Sequence, residues 1–260
     1  MGPINIFSDL KNKVVVITGG YGYLGEAMTS ILLEYGSKVY VLARSKKKFD
    51  NRFEQKNSSV FFQETDVSSS KSIEKSIKFI GEKEGRVDVL INNAYFGVAN
   101  HPEKMTSEEW REGIDGGLNH FFDCIKSVIP FLKLSENGKI INVSSMYGIV
   151  VPDLDIYCGR EGFLNPPNYG TAKAAVIHLT KYYSMYLGKY NINVNAISPG
   201  PFPSKQVQED KEFIKRLEAK TKLKRIGKPK DLEGIILLLS SSASNYITGQ
   251  NIAIDGGWSI

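Results

Sequence analysis

Short, β-branched apolar runs alternate with longer amphipathic stretches along the chain. Lys13–Thr18 reads Lys-Val-Val-Val-Ile-Thr and stops at two glycines. Apolar residues at consecutive rather than alternate positions predict a strand covered on both faces. Further strands are predicted over Lys38–Leu42, Val60–Gln63, Val87–Ile91, Lys139–Val143, Asn193–Ile197 and Asn251–Ile254. Between them lie helical segments. The first runs from Leu24 to Tyr35, with Leu24, Ala27, Met28, Ile31 and Leu32 on one face. Others are expected over Ser69–Glu82, over Ser107–Leu134 with an interruption at Gly116-Gly117, and over Gln208–Thr221 and Asp231–Leu239. A helix to Leu187 follows Pro166-Pro167, with Asn168 as its predicted N-cap and Val176, Leu179, Tyr183 and Leu187 as its apolar face. This alternation predicts an α/β fold, a doubly wound parallel sheet of Rossmann type with about seven strands and helices on both faces. No repeat, low-complexity tract or linker divides the chain, so one domain over 1–260 is expected.

Two stretches fall outside this pattern. Met146–Asn168 is irregular and rich in proline, and loops of that length in a compact domain are usually functional. The segment 200–225 combines Pro201, Pro203 and a charged helix and is expected to act as a lid.

Hydrophobic residues at 42% and charged residues at 23% place the chain among ordinary soluble globular proteins. Its net charge of +5 comes largely from Arg44–Lys48 and from Lys205–Lys230, which also carries Glu209, Asp210, Glu212 and Glu218. Neither segment interleaves cations with aromatic residues, so nucleic acid is not an expected partner. Solvated helix faces, or a small anionic ligand, account for the excess. Cys124 and Cys158 make no disulfide framework, and His101, His120 and His178 are too scattered for a metal site. A reducing, cytoplasmic setting is expected. Met1–Lys13 reads as neither a signal peptide nor a membrane span, so no membrane partner is expected.

Three places carry candidate chemistry. Thr18, Gly19, Gly20, Tyr21, Gly22, Tyr23, Leu24 and Gly25 join a strand to a helix, the context in which a glycine-rich turn holds a pyrophosphate at the helix N-terminus. The second strand ends Leu42-Ala43-Arg44-Ser45, with no acid to accept from a ribose 2′-hydroxyl and a guanidinium to meet a 2′-phosphate. NADP(H) is therefore preferred over NAD(H), the competing reading being that Arg44 opens a solvated basic turn. Tyr169 and Lys173, four residues apart, share one helix face. An ammonium beside a phenol is expected to lower the phenol's pKa and make it a general acid or base. Chance alone could supply such a pair, so its weight comes from its surroundings.

The ordered set resembles the short-chain dehydrogenase/reductase family from Lys13 to Trp258. The matching residues are Thr18-Gly19 through Gly25, Asp66-Val67, Asn92-Asn93-Ala94, Ser145, Tyr169 through Lys173, Ser198-Pro199-Gly200, and Thr248-Gly249-Gln250 with Asp255-Gly256-Gly257. The resemblance implies that Tyr169 moves the proton at the substrate oxygen, that Ser145 orients that oxygen, and that Lys173 binds the nicotinamide ribose and tunes Tyr169. It implies cofactor contacts at Asp66 and Val67, at Asn92 and Ala94, and over Pro199, Gly200, Phe202 and Ser204. Asn92 could equally tie strands together. A homotetramer is also implied, with Tyr182, Tyr183 and Tyr186 at an interface or in the core.

Three departures stand out. Tyr23 occupies a glycine position of the pattern, and Gly117 occupies that of a relay asparagine, with Asn119 two residues later. The separation of Ser145 from Tyr169 exceeds the family's, and the surplus loop holds Asp153, Asp155, Tyr157, Arg160, Glu161 and Asn165. That polarity suits a polar, sugar-like substrate and resembles bacterial members tied to surface-sugar biosynthesis. Two other functions compete, a 3-ketoacyl-thioester reductase and a dinucleotide-binding regulatory protein without turnover.

Overall fold

The computed structural model describes residues 6–53, 59–158 and 164–260. Seven strands form one sheet in the order β3-β2-β1-β4-β5-β6-β7. They are β1 (Val14–Thr18), β2 (Lys38–Ala43), β3 (Val60–Glu64), β4 (Val89–Asn92), β5 (Lys139–Val143), β6 (Asn193–Pro199) and β7 (Asn251–Ile254). Every neighbouring pair is parallel. The strand order reverses between β1 and β4, where a doubly wound sheet opens a crevice at the carboxyl ends of its strands.

The β1 run explains its own placement. Val15 and Ile17 enter one core with Met28 and Leu32 of α1 (Gly25–Glu34), Phe49 and Phe53 of α2 (Lys46–Phe53), and Ile236 and Leu237 of α8 (Glu233–Ser240). Val14 and Val16 enter the opposite core. There they join Ile73, Ile77 and Ile80 of α3 (Ser70–Glu84), Ile125 and Val128 of α5 (His120–Leu132), and Tyr183 and Leu187 of α6 (Pro167–Leu187). Successive strand side chains point to opposite faces, so a continuous apolar run feeds both layers.

Helix ends follow local chemistry. The Ser69 hydroxyl caps α3 at Ser72, and Gly85, at φ 78°, closes it in the left-handed region. Thr106 and Glu109 form a reciprocal capping box at the start of α4 (Ser107–Ile114). The helix expected over Ser107–Leu134 is interrupted where the two glycines stand: a π-helical segment, Asp115–Asn119, separates α4 from α5.

Some expectations are corrected. Pro166, not Asn168, is the N-cap of α6, with Pro167 in its first turn. Asn168 is buried instead, and its Nδ2 donates to the Glu109 carbonyl at 3.0 Å, tying α6 to α4. The basic stretch after Arg44 runs into a helix that the sequence did not announce, since Lys46 opens α2, which Phe49 and Phe53 anchor. The charged helix α7 is shorter than expected, Lys211–Lys220, and begins after an Asp210 cap.

The long loop and the lid-like segment share a small third core. Ile156 and Tyr157 pack there with Phe213 and Leu217 of α7. Asp153 pairs with Lys220, and Arg216 donates to the Cys158 carbonyl at 2.7 Å.

Candidate active site

A cavity of about 1170 Å³ opens at the reversal of strand order, between β1 and β4. Its floor is the glycine-rich turn. Gly19 adopts φ +65°, and a Cβ on Gly25 would fall 2.3 Å from the Gly19 carbonyl, so the turn closes only with glycine there. The turn thus leaves backbone, not side chain, facing a ligand, as a dinucleotide requires. Gly19, Tyr21, Tyr23, Leu24 and Gly25 all line the cavity. The Tyr23 hydroxyl, at the position expected to hold glycine, accepts from Gln208 Nε2 at 3.1 Å and so joins the turn to the lid-like segment.

Arg44, Asp66 and Val67 form one end of the cavity. Arg44 is exposed. The Asp66 carboxylate accepts from Ser68 N at 3.0 Å and Ser68 Oγ at 2.8 Å. Those bonds hold its pKa below the usual carboxylate range, and the Arg44 charge adds to them. Ala94, Pro199, Gly200 and Phe202 line other walls.

Four residues expected to touch a cofactor sit elsewhere. Thr18 is fully buried, and its hydroxyl accepts from Asn93 N at 2.9 Å and Ala94 N at 3.0 Å, knitting the ends of β1 and β4. Asn92 is fully buried and donates to Asn142 Oδ1 at 2.9 Å, so it ties β4 to β5. The Ser45 hydroxyl accepts from Lys48 N at 3.3 Å at the start of α2. The Ser204 hydroxyl lies near Val207 N, in the lid-like segment.

Ser145, Tyr169 and Lys173 meet on the cavity wall. Ser145 follows β5, and its Oγ accepts from Tyr147 N at 3.1 Å. Neighbouring Ser144 donates to the Lys173 carbonyl at 2.7 Å, clamping α6 to the end of β5. Lys173 Nζ donates to the Val143 carbonyl at 2.9 Å. The Tyr169 pKa is not lowered here as expected. Burial pushes it up, a hydrogen bond with Ser145 works against burial, and burial also pushes Lys173 down to about 7. Desolvation disfavours both charged forms, and it dominates at both residues.

The position expected to hold a relay asparagine cannot hold one. A Cβ on Gly117 would stand 2.6 Å from Ala172 Cβ. Asn119 is exposed and donates to Asp115 Oδ1 at 2.5 Å, away from Lys173. Tyr95 stands in this region, its ring edge-on to Tyr169 with centroids 5.0 Å apart.

A polar wall formed by Glu108, Arg111, Glu112 and Asp115 is not among the expected site residues. Their spacing puts them on one stripe of α4 and the turn after it, a pattern visible in the sequence though not what it faces. Of the loop residues expected to recognise substrate, none of those described lines the cavity. Asp153 and Tyr157 engage α7, while Arg160 and Glu161 lie outside the described residues.

Among the described residues, no group of His, Cys, Asp and Glu could hold a metal ion, and no helix is long and apolar enough to cross a membrane.

Comparison with known proteins places this geometry. The family model described as enoyl-(acyl carrier protein) reductase matches residues 23–259. The 3-oxoacyl-(acyl-carrier-protein) reductase of Thermotoga maritima is 32% identical over 95% of this chain and 98% of its own length. A short-chain dehydrogenase from Leptospira borgpetersenii, solved with bound NAD+, superposes with a TM-score of 0.90 at 32% identity, covering 100% of this chain and 98% of that one. The ligand-free aldohexose dehydrogenase of Thermoplasma acidophilum gives 0.84 at 28% identity, over 97% and 96% of the two chains. With its all-parallel sheet and its Ser145, Tyr169 and Lys173 on one cavity wall, the chain belongs to the short-chain dehydrogenase/reductase family, oxidoreductases acting on CH–OH groups with NAD(P).

Proposed function

We propose that this chain is an NADP(H)-dependent oxidoreductase that interconverts a secondary alcohol and a ketone on a polar, sugar-like substrate. The observation that carries the reading is the convergence of Ser145, Tyr169 and Lys173 on the cavity that the glycine-rich turn floors. When bound, a nicotinamide cofactor supplies or takes the hydride. The protein handles the proton and the geometry. Reduction builds negative charge on the substrate oxygen, and the Tyr169 hydroxyl protonates that oxygen as it forms. A Tyr169 pKa held up by burial keeps the phenol protonated for this step. In the reverse direction the same phenol must give up its proton first. Ser145 Oγ donates to the same oxygen and orients it, and Lys173 stabilises the phenolate and holds the ribose.

Cofactor choice rests on the β2 end. Arg44 lines the cavity with no carboxylate beside it on β2, which suits a 2′-phosphate. Replacing Arg44 by Asp is expected to weaken NADPH binding roughly 100-fold, about 2.7 kcal/mol, and to leave NADH binding equal or better. Fluorescence titration with both cofactors measures it. Equal affinity for the two in the parent protein would defeat the assignment.

A sugar-like substrate suits the carboxylates and guanidinium on α4, which can bond several hydroxyl groups. A 3-ketoacyl-thioester reductase is the second reading, favoured by the likeness to the Thermotoga maritima enzyme. We place the activity in a single domain, with residues 146–168 and 200–225 as substrate loop and lid, in a cytoplasmic homotetramer. Tyr182, Met185 and Tyr186 are exposed along α6, available to such an interface, whereas Tyr183 belongs to the core. The deciding experiment follows NADPH absorbance in both directions across sugars, sugar phosphates, nucleotide sugars and an acetoacetyl thioester. Turnover of the thioester alone would select the second reading.

A further inference from the structure

The Lys173 ammonium has three protons to donate, and among the described residues it finds one hydrogen-bond acceptor, the Val143 carbonyl. No carboxylate pairs with it there. Three aromatic rings stand around it. Nζ lies 4.9 Å from the centre of the Phe121 ring, 5.7 Å from that of Tyr95 and 5.8 Å from that of Tyr169. Within about 6 Å a ring face attracts a cation, most strongly where water is excluded. The three rings come from α5, from the loop after β4, and from α6 itself. Position 117 lies against the same ring: a Cβ there would touch Tyr95 Cε2 at 3.6 Å, an ordinary contact, while standing 2.6 Å from Ala172 Cβ. The Tyr95 hydroxyl forms no hydrogen bond among the described residues.

We propose that Tyr95 is a positioning residue, whose ring, together with that of Phe121, holds the Lys173 ammonium beside Tyr169 through its face and not through its hydroxyl. The proposal rests on the role given to Lys173 above, but the contact belongs to the free protein and can be tested there. The titratable groups around Lys173 are Tyr169 on its own helix, Tyr95 after β4, and His120 on α5. Burial keeps His120 neutral, with a pKa of about 4, so no fixed charge competes with the rings.

The test titrates Lys173 in the full chain by the chemical shift of labelled lysine Cε, with Lys173→Arg identifying the resonance. The parent protein should titrate far below a free lysine, near 7, because burial disfavours the ammonium. Tyr95→Phe keeps the ring and should move that midpoint by less than about 0.3 unit. Tyr95→Leu still excludes water but lacks the ring's negative face, so the midpoint should fall by roughly half a unit or more. Tyr95→Ala admits water, and the midpoint should rise by about one unit. If Leu titrates with the parent, any apolar wall suffices and the proposal is wrong. If Phe moves with Leu, the hydroxyl carries the effect and the proposal is equally wrong. The Phe–Leu comparison decides even if the Ala variant does not fold. NADPH titration of the parent runs alongside: failure to bind would sink the proposed function while leaving the Lys173 titration interpretable.

Discussion

Tyr169→Phe is expected to lower kcat/KM by at least about 1,000-fold, some 4 kcal/mol of transition-state stabilisation, while NADPH still binds. The substitution removes one oxygen and no packing surface. The ring keeps its edge-on contact with Tyr95, and Lys173 Nζ keeps its bond to the Val143 carbonyl. The oxygen lost is the one that, in the proposed reaction, meets the substrate oxygen. Without it the developing alkoxide has Ser145 to orient it but no proton to take. Steady-state kinetics on whichever substrate turns over, with NADPH fluorescence as the binding control, measures the split. Retention of even a tenth of the activity would remove Tyr169 from its assigned role, and loss of NADPH binding with activity would show that the substitution disturbs the cradle instead.

The largest effect on stability is expected away from the reacting atoms, at Gly116. A Cβ there would fall 1.7 Å from the Phe96 carbonyl oxygen and 2.5 Å from its carbon. Both are main-chain atoms of the segment after β4 and cannot swing aside as a side-chain tip can. Gly113 and Gly117 are equally committed, to Asn168 and Ala172 of α6. The π-helical segment therefore wedges between the Tyr95–Phe96 backbone and the helix that carries Tyr169. Gly116→Ala is expected to cost about 3 kcal/mol. That lowers the melting temperature by roughly 6–12 °C for a chain of this size. Gly188→Ala is the matched control. Its backbone is right-handed helical, at φ −55°, and a Cβ there meets nothing within 4 Å. It should leave stability unchanged or raise it by about 0.5 kcal/mol. Calorimetry on the two variants tests the contrast, which is lost if both melt with the parent.

Much of this architecture is legible in the chain. Val14 through Ile17 are apolar at consecutive positions, and a run of that kind has few homes other than a central parallel strand. Right-handed connections then place helices on both faces once the strand order reverses between β1 and β4, but the reversal itself is not written in those runs. Polar residues at strand ends are harder to read. Thr18, Asn92 and Ser145 all stand at carboxyl ends of strands, yet the first two bond neighbouring strands and only Ser145 faces the cavity. A hydroxyl or an amide serves either purpose, and the choice depends on which way the last peptide turns. Helix α2 escapes because its lysine-rich start masks the two phenylalanines that hold it. The protonation preferences of Tyr169 and Lys173 escape for another reason: their spacing reports proximity, while burial, set by residues far off in the chain, decides which form is favoured.

The shared core beneath the long loop and α7 bears on how the molecule opens. Ile156, Tyr157, Phe213 and Leu217 bury one another rather than a face of the sheet. Segments joined by their own apolar contacts come apart together and separately from what they rest on. Amides over residues 154–158 and 211–220 are therefore expected to share one hydrogen-exchange rate, faster than that of β1 and β4. Phe213→Ala should quicken both stretches while leaving the strands at their parent rate. An insertion that brings its own small core adds a second, weaker cooperative unit beside the first. The chain can then carry a longer loop there without loosening the sheet that holds Tyr169 in place.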